Sequence, residues 1–197
     1  PFRIMVYDKD GSLLHADIPD LAYREDSNHR RIHASQIEAD DCFYGFGEKS
    51  GEINKAEKYM NMAPGDAMGY NAASTDPLYK HIPFTITQRS DISYGLFYDN
   101  LSSCWLDLGN EIDNYHTAYR RWQAEAGDID YYLFTGKQVL DVTKAFVRLT
   151  GKTLFGPKWS LGYSGSTMHY TDAPDAQNQL MNFIRLCEQH AIPCDSF

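Results

Sequence analysis

Residues 149–170 read LTGKTLFGPKWSLGYSGSTMHY, and this stretch decides the organisation of the chain because two kinds of sequence pattern meet in it. A helical pattern ends at Leu149, and Gly151 suits the position just past a helix end. Gly156-Pro157 then interrupts the chain before an apolar segment opens at Trp159. The stretch therefore predicts a junction between two domains.

On the C-terminal side of the junction, residues 159–197 predict a strand, a helix and a second strand. The helix carries an apolar stripe formed by Leu180, Phe183, Ile184, Cys187 and Ala191. Short connections between the three elements predict a parallel β-α-β unit. Because both ends of the sequence fall within predicted strands, we expect the chain to be part of a longer polypeptide.

On the N-terminal side, short alternating segments predict an antiparallel β-sandwich over residues 1–136, with a helix and linker over residues 137–158. A hairpin is predicted at residues 2–14, where Asp10-Gly11 supplies the turn. A further pair of strands is predicted within residues 21–39, and four clear strands at 81–88, 94–99, 103–108 and 130–134. The fold class is therefore mostly β.

Residues 57–73 show neither strand nor helix periodicity and predict a long loop around Pro64-Gly65-Asp66. A long loop without a period of its own in a compact domain is usually functional or mobile. Asp66 is therefore a candidate site residue.

Composition excludes several classes of partner and suggests a location. The net charge of -9 and the absence of a basic run argue against nucleic acid. No apolar run is long enough for a membrane span. Four cysteines without a CxxC pair predict free thiols in a reduced, cytoplasmic compartment. With no phosphate-binding or dinucleotide motif and no histidine-cysteine cluster, neither a cofactor nor a metal is expected.

If the substrate is a sugar, the chemistry to look for is a pair of carboxylates, one a nucleophile and one a general acid. Asp66 in the loop and Asp195 on the second parallel strand are the candidates, although a solvated loop carboxylate and a structural hydrogen-bonding group are equally good explanations. His169 follows the first parallel strand, at the end where α/β proteins bind ligands, although a lone histidine there is at least as often a structural residue.

Six motifs in this order resemble family 31 glycoside hydrolases, the α-glucosidase and α-xylosidase group. They are FYGFGEKSG at 43–51, DAMGYN at 66–71, STDPLYKHIPF at 74–84, YGLFYDN at 94–100, LTG at 149–151 and PKWSLGY at 157–163. The resemblance covers residues 40–197. It implies a galactose mutarotase-like sandwich followed by a (β/α)8 barrel, of which residues 159–197 would form the first strand, helix and second strand.

The resemblance also implies where the chemistry lies. The two catalytic aspartates of the family would follow Phe197, so no catalytic residue is expected in this chain. Asp66 matches the sandwich loop that offers a carboxylate to the substrate, and Ser166, His169 and Asp195 would line the pocket from the barrel side. The expected partners are a carbohydrate substrate and the rest of the barrel, and self-association is left open.

The expected activity is that of a retaining, exo-acting α-glycoside hydrolase. The segment from Ser166 to Tyr170 replaces the Cys-Arg-Trp-Gly-Tyr segment of typical α-glucosidases, and residues 192–197 also depart from their pattern. Both departures leave α-galactosidase and α-N-acetylgalactosaminidase activities open. A different class of function is a non-catalytic carbohydrate-binding sandwich that would use the faces of Trp105 or Trp122.

Overall fold

The computed structural model describes residues 2–90, 92–170 and 172–196, which fall into two compact units. The first is Pro1–Gly151 and the second is Lys152–Phe197. Among the described residues, no helix is long and apolar enough to cross a membrane.

The described residues of the first unit form eleven strands and one helix. The strands are β1 (Met5–Tyr7), β2 (Leu13–Ala16), β3 (Tyr23–Glu25), β4 (Arg31–Gln36), β5 (Cys42–Gly47), β6 (Tyr59–Met62), β7 (His81–Arg89), β8 (Ile92–Tyr98), β9 (Cys104–Leu108), β10 (Tyr119–Ala124) and β11 (Tyr131–Gly136). The five-stranded sheet has the order β3-β4-β10-β9-β6 and the four-stranded sheet the order β11-β8-β7-β5, while β1 pairs with β2. Every pairing of these strands is antiparallel, which confirms the predicted fold class of the sandwich.

The predicted hairpin is present and has a clear local cause. The Asp8 carboxylate accepts hydrogen bonds from the amides of Asp10 and Ser12, each at 2.8 Å. Gly11 lies at a φ of 83°, a conformation that glycine adopts without steric cost. The turn chemistry read from the sequence therefore sets the pairing of β1 with β2.

Two strands do not match the sequence predictions. β6 lies inside the segment predicted as a loop, and its alternation is confined to Met60 and Met62, which face the core. β10 was not predicted because its sequence, YRRWQA, places a charged residue on the buried face. Arg120 is only 1% exposed there, so the strand lacks a simple apolar alternation.

The core between the two sheets is aromatic. Trp122 of β10 is fully buried and stacks on Tyr98 of β8, with ring centroids 4.4 Å apart and an interplanar angle of 3°. Phe43 and Phe46 of β5, together with Leu106 of β9, complete this layer. Stacked rings from both sheets fix the spacing of the sandwich.

The predicted helix forms as α1 (Val139–Thr150) and packs on the four-stranded sheet, on the face opposite to this core. Its Phe146 ring stacks on Phe84 at 4.0 Å. Val142 is completely buried beside Gly95, where any Cβ would lie 2.7 Å from Val142 Cγ1. The glycine therefore lets the helix approach the sheet closely.

The second unit differs from the predicted strand, helix and strand. The predicted helix is present as α2 (Ala176–Gln189), but the described residues of the two flanking segments do not form strands. The first contains a 3₁₀ helix at Lys158–Leu161, a second short 3₁₀ helix follows at Met168–Tyr170, and an isolated parallel bridge joins Ser164 to Ser196. Phe197, the last residue of the predicted second strand, lies outside the described residues.

The physical reason for this difference is exposure. Parallel strands are stable when both faces of the sheet are covered. In this unit Trp159, Leu161 and Tyr163 are 57%, 87% and 61% exposed. One bridge between two uncovered segments does not propagate into a ladder.

Candidate functional site

Asp66, the loop carboxylate predicted from the sequence, lies between β6 and β7 and is exposed. The base of its loop is held by Asp76. The Asp76 carboxylate pairs with Lys49 Nζ at 2.6 Å and accepts a hydrogen bond from the Asn61 amide at 2.5 Å. The Lys49 side chain is almost fully buried, whereas a quarter of the Asp76 side chain is exposed, so solvent reaches this ion pair from the Asp76 side. The loop is therefore anchored on the sandwich although its tip is exposed.

Within the loop, the segment just before Asp66 runs next to the segment just before Tyr79. The Gly65 amide donates to the Leu78 carbonyl at 3.3 Å, and a Cβ at Gly65 would lie 3.2 Å from Pro77 Cγ. Tyr79 lies close to Asp66. Partial burial and then the Asp66 charge raise the pKa of Tyr79, so the phenol keeps its proton beside the carboxylate.

The part of the loop after Asp66 is fixed by side-chain to backbone hydrogen bonds. Asn71 accepts the amide of Ala73 at 2.8 Å, and Thr75 Oγ1 accepts the amide of Asn71 at 2.8 Å. Ser50 Oγ donates to the Thr75 carbonyl at 2.7 Å. These bonds give an exposed segment a defined path, with the half-exposed rings of Tyr70 and Tyr79 near the carboxylate.

A groove of about 850 Å³ runs along the base of this loop. Its walls include Lys49, Lys55 and Asp76. Lys55 is buried, and its ammonium donates to the Ser50 carbonyl at 2.7 Å and to the Glu52 carbonyl. Burial, followed by the charge of Lys58, lowers the pKa of Lys55. Both ammonium groups hold backbone segments of the first unit, so the groove is a part of the loop support.

The other three predicted site residues belong to the second unit. Ser166 is exposed and follows the bridge residue Ser164 by two positions. His169 is exposed in the 3₁₀ helix Met168–Tyr170, where its amide donates to Thr167 Oγ1 at 3.1 Å. Among the described residues, neither side chain forms a hydrogen bond or ion pair with Asp195.

Asp195 lies beside Gly162, in the space that a side chain at Gly162 would occupy. Its amide donates to the Tyr163 carbonyl at 2.8 Å, and the next residue, Ser196, donates its hydroxyl to Ser164 Oγ at 2.6 Å. Asp195 therefore lies against the segment just before Ser164, whereas Ser166 and His169 lie in the segment after Ser164.

A cluster that the sequence did not predict lies in the sandwich core. Asp17 Oδ1 is 3.0 Å from His15 Nε2 and 2.9 Å from His33 Nε2, and Asp17 Oδ2 accepts the amide of Ile4 at 2.8 Å. All three side chains are buried, and their ligand-type atoms lie within 4.8 Å of one another. Two imidazoles and a carboxylate at this spacing are the donor set of a zinc site.

The proton positions argue against a metal ion in this cluster. Arg120 Nη2 lies 3.3 Å from His15 Nδ1, and a guanidinium can only donate, so Nδ1 accepts and the proton of His15 is on Nε2. That proton points at Asp17, where a metal would need a lone pair. Arg120 is itself buried and donates to Ser35 Oγ at 3.0 Å. The arrangement is a neutral network of one anion, one cation and two uncharged imidazoles.

The pKa directions agree with this assignment. Burial lowers the pKa of His15 to about 4 and also lowers that of His33. Burial alone would raise the pKa of Asp17, but hydrogen bonds from the two histidines and the Ile4 amide place it below its usual range. His33 Nδ1 accepts the Tyr98 hydroxyl at 2.8 Å, so the network joins both sheets. It stabilises the sandwich rather than performing chemistry.

The two tryptophans considered as sugar-binding faces are placed unfavourably. Trp122 is fully buried in the core. The Arg30 guanidinium lies over the ring of Trp105, 5.1 Å from its centroid, in a cation-π contact. Trp122 therefore offers no face to a sugar, and one face of Trp105 is covered by Arg30.

Comparison with known proteins gives consistent results. The model of the "Glycosyl hydrolase 31 N-terminal galactose mutarotase-like domain" matches residues 1–107. Alpha-glucosidase 2 of Bacillus thermoamyloliquefaciens is 34% identical over 185 residues, which are 93% of this chain and 23% of that protein. An alpha-glucosidase of Saccharolobus solfataricus is 29% identical over 126 residues, covering 64% of this chain and 18% of its own length.

Among solved structures, the Flavobacterium johnsoniae GH31 dextranase in complex with isomaltotriose superposes with a TM-score of 0.83 at 30% identity. That alignment covers 98% of this chain and 22% of the dextranase chain. The chain thus spans less than a quarter of the length of each of these relatives.

Proposed function

Because the chain belongs to glycoside hydrolase family 31, through its N-terminal galactose mutarotase-like domain, we propose that it is the N-terminal part of a retaining, exo-acting α-glycoside hydrolase. Its expected action is the release of a terminal sugar from oligosaccharides or glycoconjugates, with α-glucosidase-like specificity. The observation that carries this proposal is the 34% identity with Alpha-glucosidase 2 over 93% of the chain.

The reaction class is a double displacement. In retaining glycosidases a carboxylate nucleophile forms a covalent glycosyl-enzyme, and a second carboxyl acts first as general acid and then as general base, the two lying about 5 Å apart. We assign both groups to the part of the polypeptide that would follow Phe197. This chain then supplies substrate contacts and not the reacting groups.

Asp66 is the substrate contact that we propose with most support from the geometry. It is exposed on an anchored loop, with the half-exposed Tyr79 close to its carboxylate. A carboxylate accepts hydrogen bonds from sugar hydroxyls, and charge-assisted bonds of this kind are stronger than neutral ones. The exposed rings of Tyr70 and Tyr79 can pack on the apolar face of a sugar ring.

Ser166, His169 and Asp195 are proposed as further substrate contacts. All three are exposed polar groups in the second unit. Asp195 and Ser196 are joined by hydrogen bonds to the segment of Tyr163 and Ser164, which precedes Ser166. In the complete barrel this segment would be the first strand, and its carboxyl end is the side on which barrel enzymes bind substrate.

The test is an assay of the full-length protein on a panel of nitrophenyl α-glycosides. We expect turnover of the α-glucoside, with α-anomeric glucose as the first product observed by NMR. Turnover of only the α-galactoside or the α-N-acetylgalactosaminide would replace the glucosidase assignment by the alternative within the family. Absence of turnover on the whole panel and on maltose, isomaltose and isomaltotriose would refute the proposal.

A carbohydrate-binding module without catalysis is the alternative from another class, and the positions of the tryptophans weaken it. Its binding faces would have been Trp105 and Trp122, one covered by Arg30 and the other buried. The partners that we propose for the chain are a carbohydrate substrate and the rest of the catalytic barrel. Because its four cysteines are free, we also propose a reducing, cytoplasmic environment.

A further inference from the structure

We propose that Cys187 and Cys194 form a reversible disulfide, making the end of α2 in the second unit a thiol-based modification site. This inference does not depend on the proposed glycosidase activity. The pair was not recognised in the sequence because a spacing of seven residues matches no common redox motif.

The backbone brings the two cysteines together. Cys187 lies in the last turn of α2, and its carbonyl accepts the Ile192 amide at 2.9 Å, so the chain reverses immediately after the helix. Cys194 follows two residues later. Burial, and then the nearby Cys194 thiol, raise the pKa of the Cys187 thiol. Both cysteines line the same cavity of about 410 Å³.

The two thiols differ in accessibility in the way that a two-step exchange requires. Cys194 is half-buried and its Sγ lies 3.4 Å from the Ser196 carbonyl, whereas Cys187 is 7% exposed. An oxidant therefore reaches Cys194 first, and Cys187 is the resolving thiol. The other two cysteines offer no such pair: Cys104 is 1% exposed in the sandwich core, and Cys42 lies on β5 in the other unit.

The oxidant that we propose is a low-molecular-weight disulfide such as glutathione disulfide. The Cys194 thiolate attacks one of its sulfurs, forming a mixed disulfide and releasing one glutathione thiolate. The Cys187 thiolate then attacks the Cys194 sulfur, forming the internal bond and releasing the second glutathione thiolate. The two cysteines lose two electrons, and the protons of their thiols are taken up by the two glutathione molecules.

The position of the bond gives it a consequence. Cys194 immediately precedes Asp195, whose amide is bonded to the Tyr163 carbonyl, and Ser196, which forms the parallel bridge to Ser164. A disulfide would tie this segment to the end of α2. We expect slower hydrogen exchange of the amides of residues 192–196 in the oxidised chain.

The experiment uses this chain in mixtures of reduced and oxidised glutathione of increasing oxidising strength. We expect two of the four thiols to be lost, with an intact mass lower by two hydrogens and a cross-linked peptide containing Cys187 and Cys194. Dithiothreitol should restore all four thiols. Four free thiols, or a glutathione adduct that persists on Cys194 of the unaltered chain, would overturn the proposal.

Three variants sharpen the result. Cys187→Ser should retain a stable glutathione adduct on Cys194, because the resolving thiol is missing. Cys194→Ser should lose no thiol of the pair, and Cys42→Ser should still form the internal bond. Since peptide mapping is done on the unaltered chain, the outcome does not depend on any variant folding. A bond mapped to another pair of cysteines would also contradict the assignment.

Discussion

At the scale of single residues, the loop carboxylate of Asp66 is the group whose role can be measured most directly. In the full-length enzyme, we expect Asp66→Asn to lower kcat/KM by about 5- to 150-fold, which corresponds to about 1–3 kcal/mol of lost transition-state stabilisation. The amide keeps the shape of the side chain but loses the charge that strengthens a hydrogen bond to a sugar hydroxyl. Steady-state kinetics on a disaccharide and on an aryl α-glycoside measure this effect.

The matched control for Asp66→Asn is Asp128→Asn, which changes an exposed carboxylate on a different turn and should leave kcat/KM unaltered. Tyr79→Phe should give a smaller loss than Asp66→Asn, because it removes only the hydroxyl beside the carboxylate and keeps the ring. The two substitutions should also be less than additive when combined, since they act through one carboxylate. An unchanged kcat/KM for Asp66→Asn would return Asp66 to the role of a solvated loop residue.

The buried histidine network makes a second prediction at the residue scale, concerning acid stability. The pKa of His15 is about 4 in the folded chain and about 6.5 when unfolded. As pH falls between these values the unfolded chain binds a proton that the folded chain does not, so the free energy of unfolding decreases. Once His15 is fully protonated in the unfolded chain and still neutral in the folded chain, it lowers the free energy of unfolding by on the order of 3 kcal/mol. His33 changes the free energy of unfolding in the same direction.

Urea unfolding at a series of pH values from 7 to 4 measures this loss. The pKa of Asp17 is lowered, so its own contribution is lost only below the usual carboxyl range, outside this window. The pKa values of the Asp41 and Asp107 carboxyls are raised by burial, so these two groups increase the free energy of unfolding as pH falls, near the lower end of this pH range. His15→Gln should reduce the pH dependence, whereas a matching change at the exposed His190 should preserve it. A stability that is flat from pH 7 to 4.5 would contradict the proton assignment.

At the scale of secondary-structure elements, the contact of α1 with the four-stranded sheet depends on the absence of a side chain at Gly95. A Cβ there would meet Val142 Cγ1 at 2.7 Å and Phe84 Cε2 at 2.8 Å. We expect Gly95→Ala to lower the free energy of unfolding by about 1–3 kcal/mol, because the helix must move away from the sheet. Chemical denaturation monitored by circular dichroism gives the value.

The control for this prediction is a double variant. Val142→Ala makes room for the new methyl group, so Gly95→Ala combined with Val142→Ala should be destabilised by less than the sum of the two single changes. Strict additivity would show that the two side chains do not compete for the same space. The result separates a clash with the helix from a general cost of alanine in β8.

At the scale of the whole molecule, the division of labour between this chain and the rest of its polypeptide is itself testable. We expect the pure chain to be catalytically inert on nitrophenyl α-glucoside, because both reacting carboxylates are assigned to a later part of the polypeptide. The full-length protein serves as the positive control under the same conditions. Hydrolytic activity that stays with the pure chain through two chromatographic steps would contradict this assignment.

Much of the architecture could be predicted from local sequence. Asp10-Gly11 predicted the first hairpin, alternation predicted β7, β8, β9 and β11, and the helical pattern that ends at Leu149 predicted α1. The signals that carry these predictions lie within a few residues of each other. β6 and β10 were missed because one alternates over only four residues and the other buries an arginine.

The sequence by itself determined the mostly β class, the hairpin, the helices and the family resemblance, because turn chemistry, periodicity and motif order are local properties. Only the tertiary structure decided which groups meet. Arg120 reaches His15 across 105 residues, and Tyr98 reaches His33 across 65. Tyr79 reaches Asp66 only because the loop folds back on itself. Such contacts depend on how strands and loops pack, and no local pattern encodes a partner so far away along the chain.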